Sequence, residues 1–132
     1  MASVVPGVQP AASSAATEVS PLASPTTRAA APSLTAGVQR GALLFAAKGC
    51  VGCHMHAAFP SARMHIGPDL TDLAARAAAR VAGLDAGAYV RQSLREPGLY
   101  RATTISSAVM PIIDLTDEQL ESLTAFLLAP AR

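Results

Sequence analysis

Apolar residues recur at helical spacing in four stretches of this chain, and Pro-, Gly- or polar-rich segments separate them. Val38, Gly41, Leu44 and Phe45 share one face, which predicts a first helix from Thr35 as N-cap to just before Gly49. Asp69 can cap a second, alanine-rich helix through Leu73, Ala77 and Val81, with Gly83 as its stop. Asp85 caps a third, in which Tyr89, Val90 and Leu94 recur until the Glu96-Pro97-Gly98 break. The last helix has the clearest start: Thr116 and Gln119 form a capping box, and Leu115 can staple against Leu120. Leu120, Leu123 and Leu127 then line one face, with Phe126 at its edge. Residues 99–113 contain Thr103, Thr104, Ile105 and Val109 without a helical period, and read as an extended loop ending at Met110-Pro111. The pattern predicts an all-α domain with no sheet.

Residues 1–34 differ in kind. They hold half of the ten prolines, many Ala, Ser and Thr, and only Glu18 and Arg28 as charges, so they cannot bury much surface. They read as a linker or tail, roughly 30 Å end to end as a flexible coil, ahead of a folded domain at 35–132. At this length the domain has a small core that a bound cofactor would strengthen. With no Trp, two Tyr and three Phe, the protein alone cannot supply an aromatic-rich core. A net charge of +1 without clustered Lys and Arg excludes an ordinary nucleic-acid surface. The apolar run Ala42–Ala47 is far short of the roughly 20 residues of a membrane span. Residues 1–6 show neither the basic nor the apolar region of a secretory signal.

The chemistry is concentrated in Cys50-Val51-Gly52-Cys53-His54, the C-x-x-C-H pattern of c-type haem attachment. Each thiol can add across a porphyrin vinyl group, sulfur to one carbon and hydrogen to the other, while the adjacent imidazole becomes the proximal iron ligand. Two other uses of the residues compete. A thioredoxin-like pair would sit beside a βαβ pattern, which the chain does not show. A zinc site would combine Cys50 and Cys53 with two of His54, His56 and His65, but His54 and His56 are too close for a usual ligand pair.

The iron then needs a sixth ligand or an open position. Met110 is the best candidate, 56 residues after His54, in a loop that leads into the last helix and is fixed by Pro111. A thioether is soft and neutral, so it favours ferrous iron and raises the potential. Met64 and His65 are rivals in another loop, whereas Met55 and His56 lie too near the attachment site to reach the far face. Without polar groups that can be placed over the iron, a haem enzyme or gas sensor with a labile sixth position is the second reading.

The stretch from Thr35 to Ala129 resembles the class I cytochrome c family in four motifs, in order. Gly41 to Phe45 is similar to the family's first helix, whose glycine and aromatic meet the last helix, here at Phe126 and Leu127. Cys50 to His54 is the haem site, Gly67-Pro68-Asp69-Leu70 resembles the G-P-x-L segment, and Met110-Pro111 resembles the axial methionine loop. The resemblance implies a small helical fold wrapped around one covalent haem c, with His54 and Met110 on the iron. It also implies that the Pro68 carbonyl accepts a hydrogen bond from His54. Phe126 departs from the tyrosine common in the family, which removes a hydroxyl contact and keeps the packing.

The run Gly67 to Arg76 is especially similar to domains fused to subunit II of haem-copper oxidases. By that likeness the chain is expected to carry electrons in a bacterial respiratory chain, not to transform a substrate. Its partners are then a terminal oxidase or a quinol-oxidising complex, and Lys48 can steer an acidic partner weakly. Haem attachment in the family occurs outside the cytoplasm, so a periplasmic location is expected, with an export signal or membrane anchor supplied by a segment outside this chain. Arg76, Arg91 and Arg101 are candidates for the haem carboxylates.

Overall fold

The computed structural model describes Gly7 and residues 34–64, 66–101 and 107–130. Apart from Gly7 and Leu34, the linker expected over 1–34 lies outside the described residues, as do His65, Thr103, Thr104 and Ile105. Among the described residues four α-helices follow in order, α1 (Leu34–Ala47), α2 (Leu73–Ala77), α3 (Ala86–Arg95) and α4 (Asp117–Leu128), with one 3-10 turn at Cys50–Gly52 between the first two. No strand occurs among the described residues, so the all-α expectation holds.

The N-terminal and C-terminal helices pack most extensively, and Gly41 makes their approach possible. A Cβ on Gly41 would lie 2.5 Å from Phe126 Cβ and would overlap the Ser122 carbonyl on α4. Only hydrogen fits between these backbones. Phe45, one turn further along α1, is 1% exposed and meets Phe126 with ring centroids 5.5 Å apart. A Gly41→Val variant is expected to lose about 3 kcal/mol of stability or more, because the helix backbone, not a flexible side chain, must move. Thermal unfolding of the holoprotein checks this, and a melting temperature within a degree or two of the parent would contradict the close packing.

All three phenylalanines gather at this crossing. Phe59 stacks on Phe45 at 5.4 Å, and His56 packs against Phe126 at 4.6 Å. His56 is buried, and burial pushes its imidazole pKa below the ordinary range despite the nearby Asp69. Its Nδ1 accepts from the Ala58 amide at 3.1 Å, while Nε2 has no hydrogen-bond partner. The three phenylalanines and His56 thus form one cluster, while Tyr89 and Tyr100 pair separately with ring centroids 5.6 Å apart.

Helix ends follow the polar pattern with two corrections. Asp85 accepts from the Ala88 amide at 2.8 Å, and Thr116 and Gln119 complete the reciprocal capping box. Leu115 packs onto the core that contains Leu120. Thr35 is not the cap of α1, because the helix already includes Leu34. The second helix is shorter than its alanine pattern predicts: Asp72 is its N-cap and it ends at Ala77. Beyond it the amides of Ala79 and Arg80 bond three residues back, to Arg76 and Ala77, and Gly83 turns the chain at φ 85°. Ala77 is fully buried, but Ala78 and Ala79 face solvent, so there is little apolar surface to hold another regular turn.

Candidate functional site

The attachment segment begins where α1 stops. Gly49 takes the left-handed conformation at φ 81°, which few side chains tolerate, and turns the chain out of the helix. The next three residues wind into the 3-10 turn, closed by the Cys53 and His54 amides donating to the Cys50 carbonyl at 3.1 and 2.9 Å. This tight winding sets Cys50, Cys53 and His54 on the wall of one cavity of about 380 Å³. The volume falls within the roughly 300–1,000 Å³ of ligand pockets. Leu94, Ile113, Leu123 and Leu127 give it apolar walls from α3, the last loop and α4.

His54 is buried and its ring is held from behind. A carbonyl can only accept, so Nδ1 carries the hydrogen and donates to the Pro68 oxygen at 2.8 Å. The proton on Nδ1 leaves Nε2 with its lone pair, the form of imidazole that ligates a metal. Gly67 seats the same ring: a Cβ there would overlap Cε1 and stand 2.7 Å from Nδ1. The Gly67 amide donates to the Cys53 carbonyl at 2.8 Å, and the Leu70 amide to the Met55 carbonyl at 2.9 Å. The segment from Gly67 to Leu70 is therefore stitched along the attachment segment, and Pro68 meets the imidazole as the resemblance implies.

The two cysteines form no disulfide with each other, and Cys50 is buried. Burial pushes the Cys50 thiol pKa up, the opposite of the electropositive, thiolate-favouring setting of a redox-active pair. Neither competing use of the motif finds support among the described residues. They contain no strand for a βαβ unit and no group of three or more His, Cys, Asp or Glu arranged for a metal ion.

Met110 is half-buried, packs against the core and lines the same cavity as His54. Of its rivals, Met64 is 51% exposed and does not line the cavity, nor do Met55 and His56. The residues present thus fit a flat, largely apolar group carrying a metal: two thiols to anchor it, an oriented imidazole, a thioether and apolar walls.

Among the described residues, the charged ones on the cavity wall are Lys48, Arg76, Arg80 and Arg101, all cations. Lys48 donates to the Asp114 carbonyl at 2.8 Å, and Arg76 to the Asp69 carbonyl at 2.6 Å. Arg91 is not among them. It lies against a separate groove and binds Glu121 through Nε and one terminal nitrogen at 2.6 and 2.9 Å, a bond that holds the Glu121 carboxyl below its usual range. Arg80 and Ser93, which no sequence motif singles out, are also on the cavity wall. Arg80 stands four residues after Arg76, and Ser93 four after Tyr89 and three after Val90, the spacing of a shared helix face.

No helix among the described residues is long and apolar enough to cross a membrane. No curated protein and no solved structure matches the chain significantly. The cytochrome c family model does match it, over residues 38–129, well over half of the 132 residues. The chain belongs to the class I cytochrome c family, whose members carry electrons on a covalently bound haem c and its iron.

Proposed function

We propose that this protein relays single electrons on a haem c anchored by Cys50 and Cys53 and ligated by His54 and Met110, in a bacterial respiratory chain outside the cytoplasm. The observation that carries the reading is the imidazole of His54, fixed by Pro68 at 2.8 Å, in one cavity with the thioether of Met110. Haem c, when bound, supplies an iron that alternates between ferrous and ferric states by one electron.

The chain's own residues hold and insulate that centre. Pro68 fixes the ring orientation and the proton position of His54, which raises the basicity of the free nitrogen. Gly67 leaves room for the ring. Leu94, Leu123 and Leu127, all buried, exclude water from the cavity wall. A thioether and a neutral imidazole bring no net charge, so little has to move when the electron arrives.

The respiratory setting rests on the likeness of Gly67 to Arg76 to domains joined to oxidase subunit II. On that reading 35–132 is the electron-carrying domain and 1–34 its linker, and the partners are a terminal oxidase or a quinol-oxidising complex. Among the described residues the cavity wall carries four cations and no carboxylate, which favours a partner with an acidic face.

The test is made on protein matured in a periplasm. Its denatured form should retain pigment and give the pyridine haemochrome of a haem with two saturated side arms. Carbon monoxide added to the reduced native protein should produce little rapid spectral change, because the sixth position is filled. Rapid, complete binding would instead indicate an open iron and a gas-binding or catalytic role.

A further inference from the structure

Lys48 follows α1 directly, and its amide still donates to the Leu44 carbonyl at 2.8 Å. A lysine at a helix C-terminus commonly turns its ammonium back to that helix's own last carbonyls. Lys48 instead reaches across 66 residues of sequence, where Nζ donates to the Asp114 carbonyl at 2.8 Å. The same side chain lines the cavity, two residues before Cys50. One bond thus spans from the attachment segment to the loop on the other side of the cavity rim.

That loop is the one that carries Met110. Residues 107–116 form neither helix nor strand, yet Ala108, Val109, Met110, Pro111 and Ile113 all line the cavity. Packing restrains the stretch unevenly: Ile113 and Leu115 sit against the core, whereas Val109 and Ile112, on either side of Met110 and Pro111, are exposed. A segment outside the regular elements with little buried apolar surface opens easily. Asp114, four residues after Met110, is where Lys48 grips it.

We infer that Lys48 is a positioning residue for Met110: its bond to the Asp114 carbonyl fastens the methionine loop to the end of α1 and slows release of the thioether from the iron. The inference rests on the His54 and Met110 ligation proposed above. For the sulfur to leave, its loop must swing outward, and the Lys48 bond has to break or stretch first. While the bond holds, the sulfur stays at a high effective concentration and returns before a competitor enters. The bond lies at solvent, so it acts on the lifetime of the ligation far more than on the stability of the fold.

The experiment adds imidazole in its neutral form to the ferric holoprotein and follows loss of the weak long-wavelength absorption of ferric iron bonded to a thioether. At saturating imidazole the rate of that loss is the rate at which the thioether departs, and a neutral probe is not steered by the charge at position 48. Lys48→Ala should accelerate it about three- to tenfold, the scale of one hydrogen bond. Lys48→Arg, which keeps a long cationic donor, should return the rate close to the parent's. The control is Arg95→Ala, which removes an exposed cation bound to Asp117 and away from the cavity wall, and it should leave the rate unchanged. If the parent shows the band and Lys48→Ala exchanges at the parent's rate, even with a lowered melting temperature, the inference is overturned while the ligation stands. Equal acceleration in Lys48→Ala and Arg95→Ala also overturns it, as does a Lys48→Arg variant as fast as Lys48→Ala. A parent that lacks the band loses Met110 as ligand, and the inference goes with it.

Discussion

A chain with both Cys50→Ala and Cys53→Ala, matured in a periplasm, is expected to yield almost no covalently pigmented protein. The two thiols line the same cavity and form no disulfide, so they are available as paired anchors, and no other cysteine exists to replace them. Any porphyrin retained by His54 and the apolar walls alone should leave in acidified organic solvent, where the parent keeps its colour. The fold should suffer too. The cavity is lined by core residues such as Phe45, Leu123 and Leu127, which face empty space if nothing fills it. Far-UV circular dichroism and thermal melting of the colourless chain should therefore show a loosened molecule. Stable haem binding that survives denaturation in the double variant would defeat the attachment proposed here.

Replacing Met110 by alanine is expected to open the iron while leaving attachment intact. Carbon monoxide should then bind the reduced protein rapidly, and the midpoint potential should fall by something on the order of 0.1 V, within the span of about 0.8 V that axial ligands command. The direction follows from the loss of a soft donor that favours the ferrous state. Because Met110 packs only partly into the core, and the neighbouring Val109 and Ile112 are 60% and 82% exposed, truncation should cost less stability than a change at Phe45 or Leu123. An unchanged optical spectrum and potential would mean that another residue ligates the iron. Met64, exposed and off the cavity wall, is poorly placed to do so.

Local patterns carried far in this protein because the motif residues are close in sequence. Cys50, Cys53 and His54 need only one tight turn to face the same space, and that turn is set by Gly49 and three consecutive backbone hydrogen bonds. The caps at Asp85 and Thr116 were legible for the same reason, since cap and partner amide are three residues apart. The second helix was overextended because alanine spacing alone does not reveal whether a neighbouring surface exists to bury it. Arg91 looked like a candidate for the cavity from its charge, yet Glu121 on α4 takes its guanidinium. A pairing across 30 residues has no local trace.

Sequence alone thus determined the helical class, the starts of α3 and α4 and the attachment chemistry, all of which depend on side chains within a few positions of one another. Only the tertiary structure decided which methionine shares the cavity with His54, which cations line it and why Gly41 and Gly67 have no room for a side chain. It also decided that the Lys48 ammonium meets the Asp114 carbonyl. Those outcomes depend on where separate elements meet, and that is set by the packing of α1 on α4 and of the Gly67–Leu70 segment on His54. Shape and excluded volume act through space, so residue spacing along the chain does not encode them.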